Sequence, residues 1–355
     1  MNQKLSRFRA LLNKNETDAA IITDEMNIGY LCGYYYTDGY LYIDAECAYI
    51  ITDTRYDAEA KIHASKEFTV TVPKNRNEFL KELIASHKIK TLGFENRNMT
   101  VAQYNGFERE LIVDFVPLGM MLTELRAVKT EDEIRKIKRA QEITDLAFSH
   151  ILSIMHPAMT ETEVALELSY FMQKNGASDA SFQIVAVSGE ASAYPHGMCR
   201  PLPLSAGFLT MDFGCVYDHY LSDMTRTVVI GKATAEMKRI YNTVLTAQTL
   251  ALESIQAGAD CKAIDAVARD YIDNAGYRGA FGHSLGHGVG LYIHESPNLS
   301  PSAAGKTLVA GNVVTVEPGI YLPGKYGCRI EDMGAVTENG FDNFTRSAKE
   351  LIELF

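Results

Sequence analysis

The C-terminal part of this chain reads as one domain written twice, and few folds accommodate such a repeat. Helical patterns over 130 to about 154 and from Thr160 to Asn175-Gly176 precede strands and a hairpin around MDFGCVYDHYLSDMTRT (211–227). Helical patterns over 234–257 and 261–274, the second ending at Asn274-Ala275-Gly276, precede strands and another hairpin, VVTVEPGIYLPGKYGCRIEDMGAV (313–336). Inside the hairpins LTMDFG (209–214) matches VTVEPG (314–319), and SDMTRTV matches EDMGAV. The shared order of helices, hairpin and acidic positions argues for internal duplication. Thr130-x-x-Glu133 and Thr160-x-x-Glu163 are capping boxes that open the first two helices, and Ile134, Ile137, Ala140 and Ile143 give the first its apolar stripe.

The acids pose the chemical question. If Met211–Cys215 and Tyr220–Val229 pair, a loop centred on Tyr217-Asp218 sets Asp212 directly opposite Asp223. Glu317 and Glu331 are symmetric about Gly324, so an odd-length loop in PGKYG sets them opposite each other as well. A pseudo-two-fold that packs the hairpins face to face brings four carboxylates into one buried place, at a cost of many kcal/mol without matching cations. Two divalent ions restore neutrality, and such pairs sit about 3.5–4 Å apart.

Nitrogen donors lie nearby. His283 and His287 fall in FGHSLGHGVGLYIHESP, whose glycines argue for a loop or strand rather than a helix. Four of the nine histidines (His196, His283, His287, His294) lie in two short segments beside the acidic hairpins, which favours a functional role. Ser222, Thr225, Arg226 and Arg329 are candidates to orient the carboxylates. Cys215 and Cys328 lie on the hairpins without an activating arrangement and read as small core residues. There is no P-loop and no GxGxxG after a strand.

From residue 1 to about 122, the strand candidates AAIIT, AYIIT, FTVTV, IKTLGF and LIVDFV alternate with amphipathic segments such as LSRFRALLNK and NEFLKELIASH. This predicts a separate small α/β domain with a mixed or parallel sheet, ending near Leu122–Thr130. The tyrosine-rich GYYYTDGYLYID reads as a hairpin with aromatic packing. A net charge of -11 and a pI near 5.4 argue against nucleic acid or an anionic membrane surface as partner. Six scattered cysteines without CxxC spacing, no signal-peptide pattern over Met1–Ala20 and no membrane-length apolar run predict a cytoplasmic protein.

MDFGCVYDHYLSDMTRT, SLGHGVGLYIHESP, TVEPGIYLPGKYGCRIED and VAVSGEASAYPHG resemble the motifs of the pita-bread metallopeptidases, in the Xaa-Pro aminopeptidase and prolidase branch. The resemblance implies an α+β chain: a duplicated pita-bread catalytic domain over 123–355, preceded by a creatinase-type N-terminal α/β domain over 1–122. It implies five metal ligands, with Asp223 and Glu331 bridging two ions, Asp212 on one, and His287 with Glu317 on the other. His196 and His294 match histidines that contact substrate and the tetrahedral intermediate, and Tyr321 and Arg329 match residues that brace the site. Such a centre acidifies a bridging water to a hydroxide, with Glu317 as general base. Ligand hardness favours manganese over cobalt or zinc. A homodimer is a further implication.

The implied reaction is cleavage of the bond between an N-terminal residue and a following proline. Dipeptide-cleaving relatives of this length commonly carry arginine where this chain has Asn298, a group suited to a dipeptide's terminal carboxylate. Its absence favours an aminopeptidase acting on longer peptides over a prolidase restricted to dipeptides. A creatinase-like amidinohydrolase or a non-catalytic peptide-binding relative would have lost ligands, and none is lost here. The N-terminal domain counts against a methionine aminopeptidase.

Overall fold

The computed structural model describes residues 2–355, which form two compact units, the first ending at Leu125 and the second spanning Arg126–Phe355. The first unit is built on a six-stranded mixed sheet in the order Thr69–Thr71, Ala48–Ile51, Tyr40–Asp44, Ala19–Ile22, Thr91–Phe94, Asp114–Pro117. Ala19–Ile22 and Tyr40–Asp44, at its centre, are buried along their whole length, as their near-continuous apolar sequences require. The tyrosine-rich segment is half of a hairpin: Tyr40–Asp44 pairs antiparallel with Ala48–Ile51, and ahead of it Tyr34 stacks on Tyr36 at 5.7 Å.

The second unit repeats a helix pair followed by a hairpin. Helices Glu131–Ile154 and Glu161–Lys174 both start at full capping boxes, on Thr130/Glu133 and Thr160/Glu163. Ile143, Phe148 and Leu168 from this pair bury Met211, Phe213 and Val228 of the first hairpin. Helices Ala235–Glu253 and Cys261–Ile272 do the same for the second, where Ile240, Val244 and Ile264 meet Val314, Val316 and Ile320. Each such fully buried side chain contributes about 1.5–3 kcal/mol. The amphipathic faces of each helix pair therefore fix the back of one hairpin and leave its front free to carry polar groups.

The first hairpin corrects the expected register. Gly207–Phe213 pairs with Met224–Ile230 so that Asp212 faces Thr225, and the ladder continues through Val216↔Leu221 and Tyr217↔Tyr220. The turn is Asp218-His219, both at positive φ (46° and 69°), the geometry that matches the twist of a two-residue hairpin. The partner of Asp212 is thus displaced by two residues from Asp223. Because side chains alternate with period two, Asp223 stays on the same face.

The second hairpin keeps the expected register. Val316↔Asp332 on one side and Gly319↔Arg329 on the other set Glu317 opposite Glu331, with the turn at Gly324 (φ 77°). The ladder opens at these two acids, whose backbone N–H groups turn elsewhere: Glu317 donates to Leu285 O (2.8 Å) and Glu331 to Thr225 O (3.1 Å). The opening joins the hairpin to the glycine-rich segment on one side and to the first hairpin on the other. No helix among the described residues is long and apolar enough to cross a membrane.

Candidate metal centre

Asp212, Asp223, His283, His287, Glu317, Arg329 and Glu331 line one cavity of ≈ 500 Å³, together with His196, His294 and Asn298. Asp223 and Glu331 are buried, whereas His196, His294 and Asn298 are exposed. Asp223, His287 and Glu331 each offer a ligand atom, all within 4.8 Å of one another. His287 Nε2 lies 3.3 Å from Glu317 Oε1 and 3.5 Å from Asp223 Oδ2. Its position comes from a short strand, Gly286–Gly288, whose glycines admit close approach: a Cβ at Gly286 would stand 2.0 Å from Thr315 O.

Behind these groups runs a hydrogen-bonded scaffold. Arg329 donates from Nη2 to Asp212 Oδ2 (2.6 Å), from Nε to Thr225 Oγ1 (3.0 Å), and from Nη1 to Tyr321 OH (2.8 Å) and Pro195 O (3.3 Å). Thr225 in turn donates to Glu331 Oε2 (2.7 Å). Tyr321 OH lies 2.9 Å from His283 Nε2. One guanidinium therefore ties an acid of the first hairpin to the second hairpin and to the backbone beside His196.

Burial, reinforced by neighbouring carboxylates, pushes Asp223 and Glu331 well above the usual carboxylate range and raises Asp212, which Arg329 partly restrains. Burial acts the same way on Glu317, but its hydrogen bond to His287 and the nearby positive groups hold it below. Burial lowers His287, yet Glu317 and Asp223 outweigh it and raise the imidazole to about 9. This is the field of acids gathered without enough positive charge. Asp212 Oδ1 is buried and has no hydrogen-bond partner, although the other oxygen of the same carboxylate is bound to Arg329. An acceptor left this way among oxygen donors and one imidazole fits a divalent cation.

Thr225 and Tyr321 stand behind the cavity lining rather than in it. Two residues expected to orient the carboxylates do other work. The Ser222 hydroxyl lies 2.7 Å from Thr144 Oγ1 in the core, and Arg226 pairs with Asp332 (2.8 Å) while donating to Glu331 O. The cavity also has an apolar wall of Phe182, Ile184, Val185, Met198 and Ile293; Val185 opens the strand Val185–Ser188 and the others lie outside helices and strands, so no single periodic segment marks the wall in the sequence. Glu161, too, has no signal in the sequence that marks it as part of the site. This buried carboxylate accepts from Ser188 N (2.7 Å) and from Arg200 Nε (2.8 Å), closing the base of the loop that carries His196.

The sequence model of metallopeptidase family M24 matches residues 135–338, and that of the creatinase/prolidase N-terminal domain matches residues 4–128. The chain belongs to metallopeptidase family M24. A chain named Xaa-Pro dipeptidase, from Pyrococcus horikoshii, is 37% identical over 99% of this chain and 99% of its own length. A solved structure of an Xaa-Pro dipeptidase from Bacillus anthracis superposes with a TM-score of 0.96 at 39% identity, covering 99% of each chain. The X-Pro aminopeptidase from Thermotoga maritima superposes at 0.91 with 34% identity, covering 97% of this chain and all (100%) of that one. The fold is that of a creatinase-type N-terminal domain followed by a pita-bread domain, as the motifs implied, and M24 membership entails the use of divalent metal.

Proposed function

We propose that this M24 peptidase removes an N-terminal residue that precedes proline, acting on peptides longer than two residues. The observation that carries the reading is the convergence of four carboxylates and His287 on one cavity that also has an apolar wall. Asp212, Asp223, His287, Glu317 and Glu331 would hold two ions, manganese by ligand hardness. Four carboxylates and the Arg329 guanidinium sum to -3, so one dication leaves -1 and two leave +1, a balance suited to drawing in an anionic nucleophile. Bound ions would polarise the scissile carbonyl and lower the pKa of a water.

The protein's own groups supply the rest. Glu317 takes a proton at its carboxylate and delivers it to the departing imino nitrogen. His196 and His294, exposed along the cavity lining, bind the scissile carbonyl and the charge that develops on it. Arg329 and Thr225 hold Asp212 and Glu331, and Tyr321 holds His283 beside Glu317. The apolar wall accepts the proline ring and excludes water.

Asn298, neutral and exposed in the cavity lining, supports the longer substrate. The names of the relatives from Pyrococcus horikoshii and Bacillus anthracis favour a second reading, an Xaa-Pro dipeptidase. The experiment is turnover of Xaa-Pro against Xaa-Pro-Xaa peptides by the metal-loaded protein. Faster tripeptide cleavage supports the first reading, exclusive dipeptide cleavage selects the second, and equal cleavage of Xaa-Ala peptides overturns both. The family resemblance also supports a homodimer, to be read by sedimentation, and six unpaired thiols support a cytoplasmic setting.

A further inference from the structure

Far along the chain from the acidic centre, the first unit gathers three different metal-ligating side chains. Asp44 ends the strand Tyr40–Asp44, Cys47 lies in the turn that follows, and His87 caps the C-terminal end of helix Arg76–Ser86. Their ligand atoms meet: His87 Nδ1 is 2.6 Å from Asp44 Oδ2, Cys47 Sγ is 3.3 Å from the same oxygen, and Cys47 Sγ is 3.7 Å from His87 Nδ1. Asp44 is 2% exposed and held rigidly, since its Oδ1 accepts from the N–H groups of Glu46 (2.8 Å) and Cys47 (2.7 Å). That leaves Oδ2 as the oxygen turned towards the thiol and the imidazole, with Tyr42 OH donating to it at 2.9 Å. Asp44 and His87 also line a cavity of ≈ 560 Å³ that reaches Glu16 and Glu46.

The triangle can be compared with a tetrahedral ion. Zinc bonds of about 2.3 Å to sulfur and about 2.0–2.1 Å to nitrogen and oxygen separate the ligands by about 3.5 Å for S···N and S···O and about 3.3 Å for N···O. Two observed edges, 3.7 and 3.3 Å, already lie close to those values. The third, 2.6 Å, is a hydrogen bond that must open by about 0.7 Å, which loss of the shared proton permits. The charge also closes: carboxylate and thiolate with a neutral imidazole sum to -2, which one dication neutralises. A thiolate and an imidazole select a borderline-soft ion over magnesium or calcium.

We propose that Asp44, Cys47 and His87 form a zinc-binding site, with the fourth position open to the adjoining cavity. The ion displaces the thiol proton to solvent and takes the place of the proton between His87 and Asp44, the bound imidazole keeping one proton, on Nε2, and it cross-links the hairpin turn to the end of the helix.

The test uses the full-length protein, stripped of metal and titrated with cobalt(II). No cysteine lines the acidic centre, so a thiolate-to-cobalt charge-transfer band in the near ultraviolet reports the proposed site whatever the peptidase does. The expected result is a band whose final intensity corresponds to one cobalt per chain beyond those the acidic centre takes up, that is displaced by zinc, disappears in Cys47→Ser, weakens at least about 10-fold in affinity in His87→Ala, and persists in Glu331→Gln. Absence of the band in the wild-type protein at saturating cobalt overturns the site, and so does its survival in Cys47→Ser. Either result leaves the peptidase reading standing, because that reading is tested by turnover.

Discussion

The two hairpins of the second unit share a layout and a backing of paired helices, yet they place their acids by different rules. In the first, the residue opposite Asp212 is Thr225, and the second acid, Asp223, lies two residues further towards the turn. In the second hairpin, Glu331 itself occupies the place opposite Glu317. Equivalent positions of the two return strands then meet: Thr225 donates to Glu331, and Arg226 pairs with Asp332. The duplicated geometry is thus kept while the chemistry is divided, a hydroxyl and an arginine on one copy answering acids on the other. The SDM/EDM similarity aligns Asp223 with Asp332, but Asp332 is a buried structural ion-pair partner and its neighbour Glu331 faces the cavity.

That division can be broken at two adjacent acids. Asp332 is bound by Arg226 (2.8 Å) and Lys349 (2.7 Å), so Asp332→Asn should cost about 3–5 kcal/mol in chemical denaturation. Burial would raise the Asp332 carboxyl, but Arg226 and Lys349 outweigh it and hold it below its ordinary 3.8. Its stabilising contribution is therefore complete above about pH 4 and is lost as pH falls through the depressed value. Stability measured against pH should show the mutant and wild-type curves converging at the acid end. Glu331→Gln should do the reverse, lowering turnover by at least about 10²-fold with loss of bound metal, while the metal-free chain gains stability from removal of a crowded charge. Should Asp332→Asn lose metal as Glu331→Gln does, the division is wrong.

Arg329→Lys tests the link between copies. A lysine cannot reach Asp212, Thr225, Tyr321 and Pro195 at once, so metal affinity should fall about 10- to 100-fold, measured by competition with a chelator. The smallest effect is expected at the turn that sets the first register. His219 holds φ 69°, and His219→Gly should relieve that strain for a gain of at most about 1 kcal/mol, with turnover unchanged.

What could be read in advance follows the same line. Capping boxes at Thr130 and Thr160 and the glycine stops mark the helices, because these signals are local. The second register is legible because Gly324 fixes the centre of symmetry. The first is not, since its turn has neither glycine nor asparagine and centres on Asp218-His219 rather than Tyr217-Asp218 have nearly the same chemistry. In either register the period of two keeps Asp212 and Asp223 on one face, so the convergence of acids is legible without the exact turn. Ser222 and Arg226 lie an odd number of residues from Asp223, so strand alternation turns them to the opposite face, where they meet Thr144 and Asp332; proximity in sequence to an acid is the wrong guide there. The apolar wall and the partners of Glu161 bring together a helix start, a strand start and loop residues that are distant in the chain, which no short-range pattern encodes.

The opening in the second hairpin's ladder bears on the order of folding. Each hairpin can zip from its own turn through local contacts, but the Glu331 amide finds its partner only at Thr225, and their side chains meet across 106 residues of chain. Joining strands so distant carries a loop-closure entropy that early collapse does not repay. The acids are consequently kept apart while the helices and ladders form and are crowded together only in the final docking step. In amide hydrogen exchange the Glu331 N–H should therefore report that docking separately from the ladders on either side, and bound cation should slow it more than it slows them.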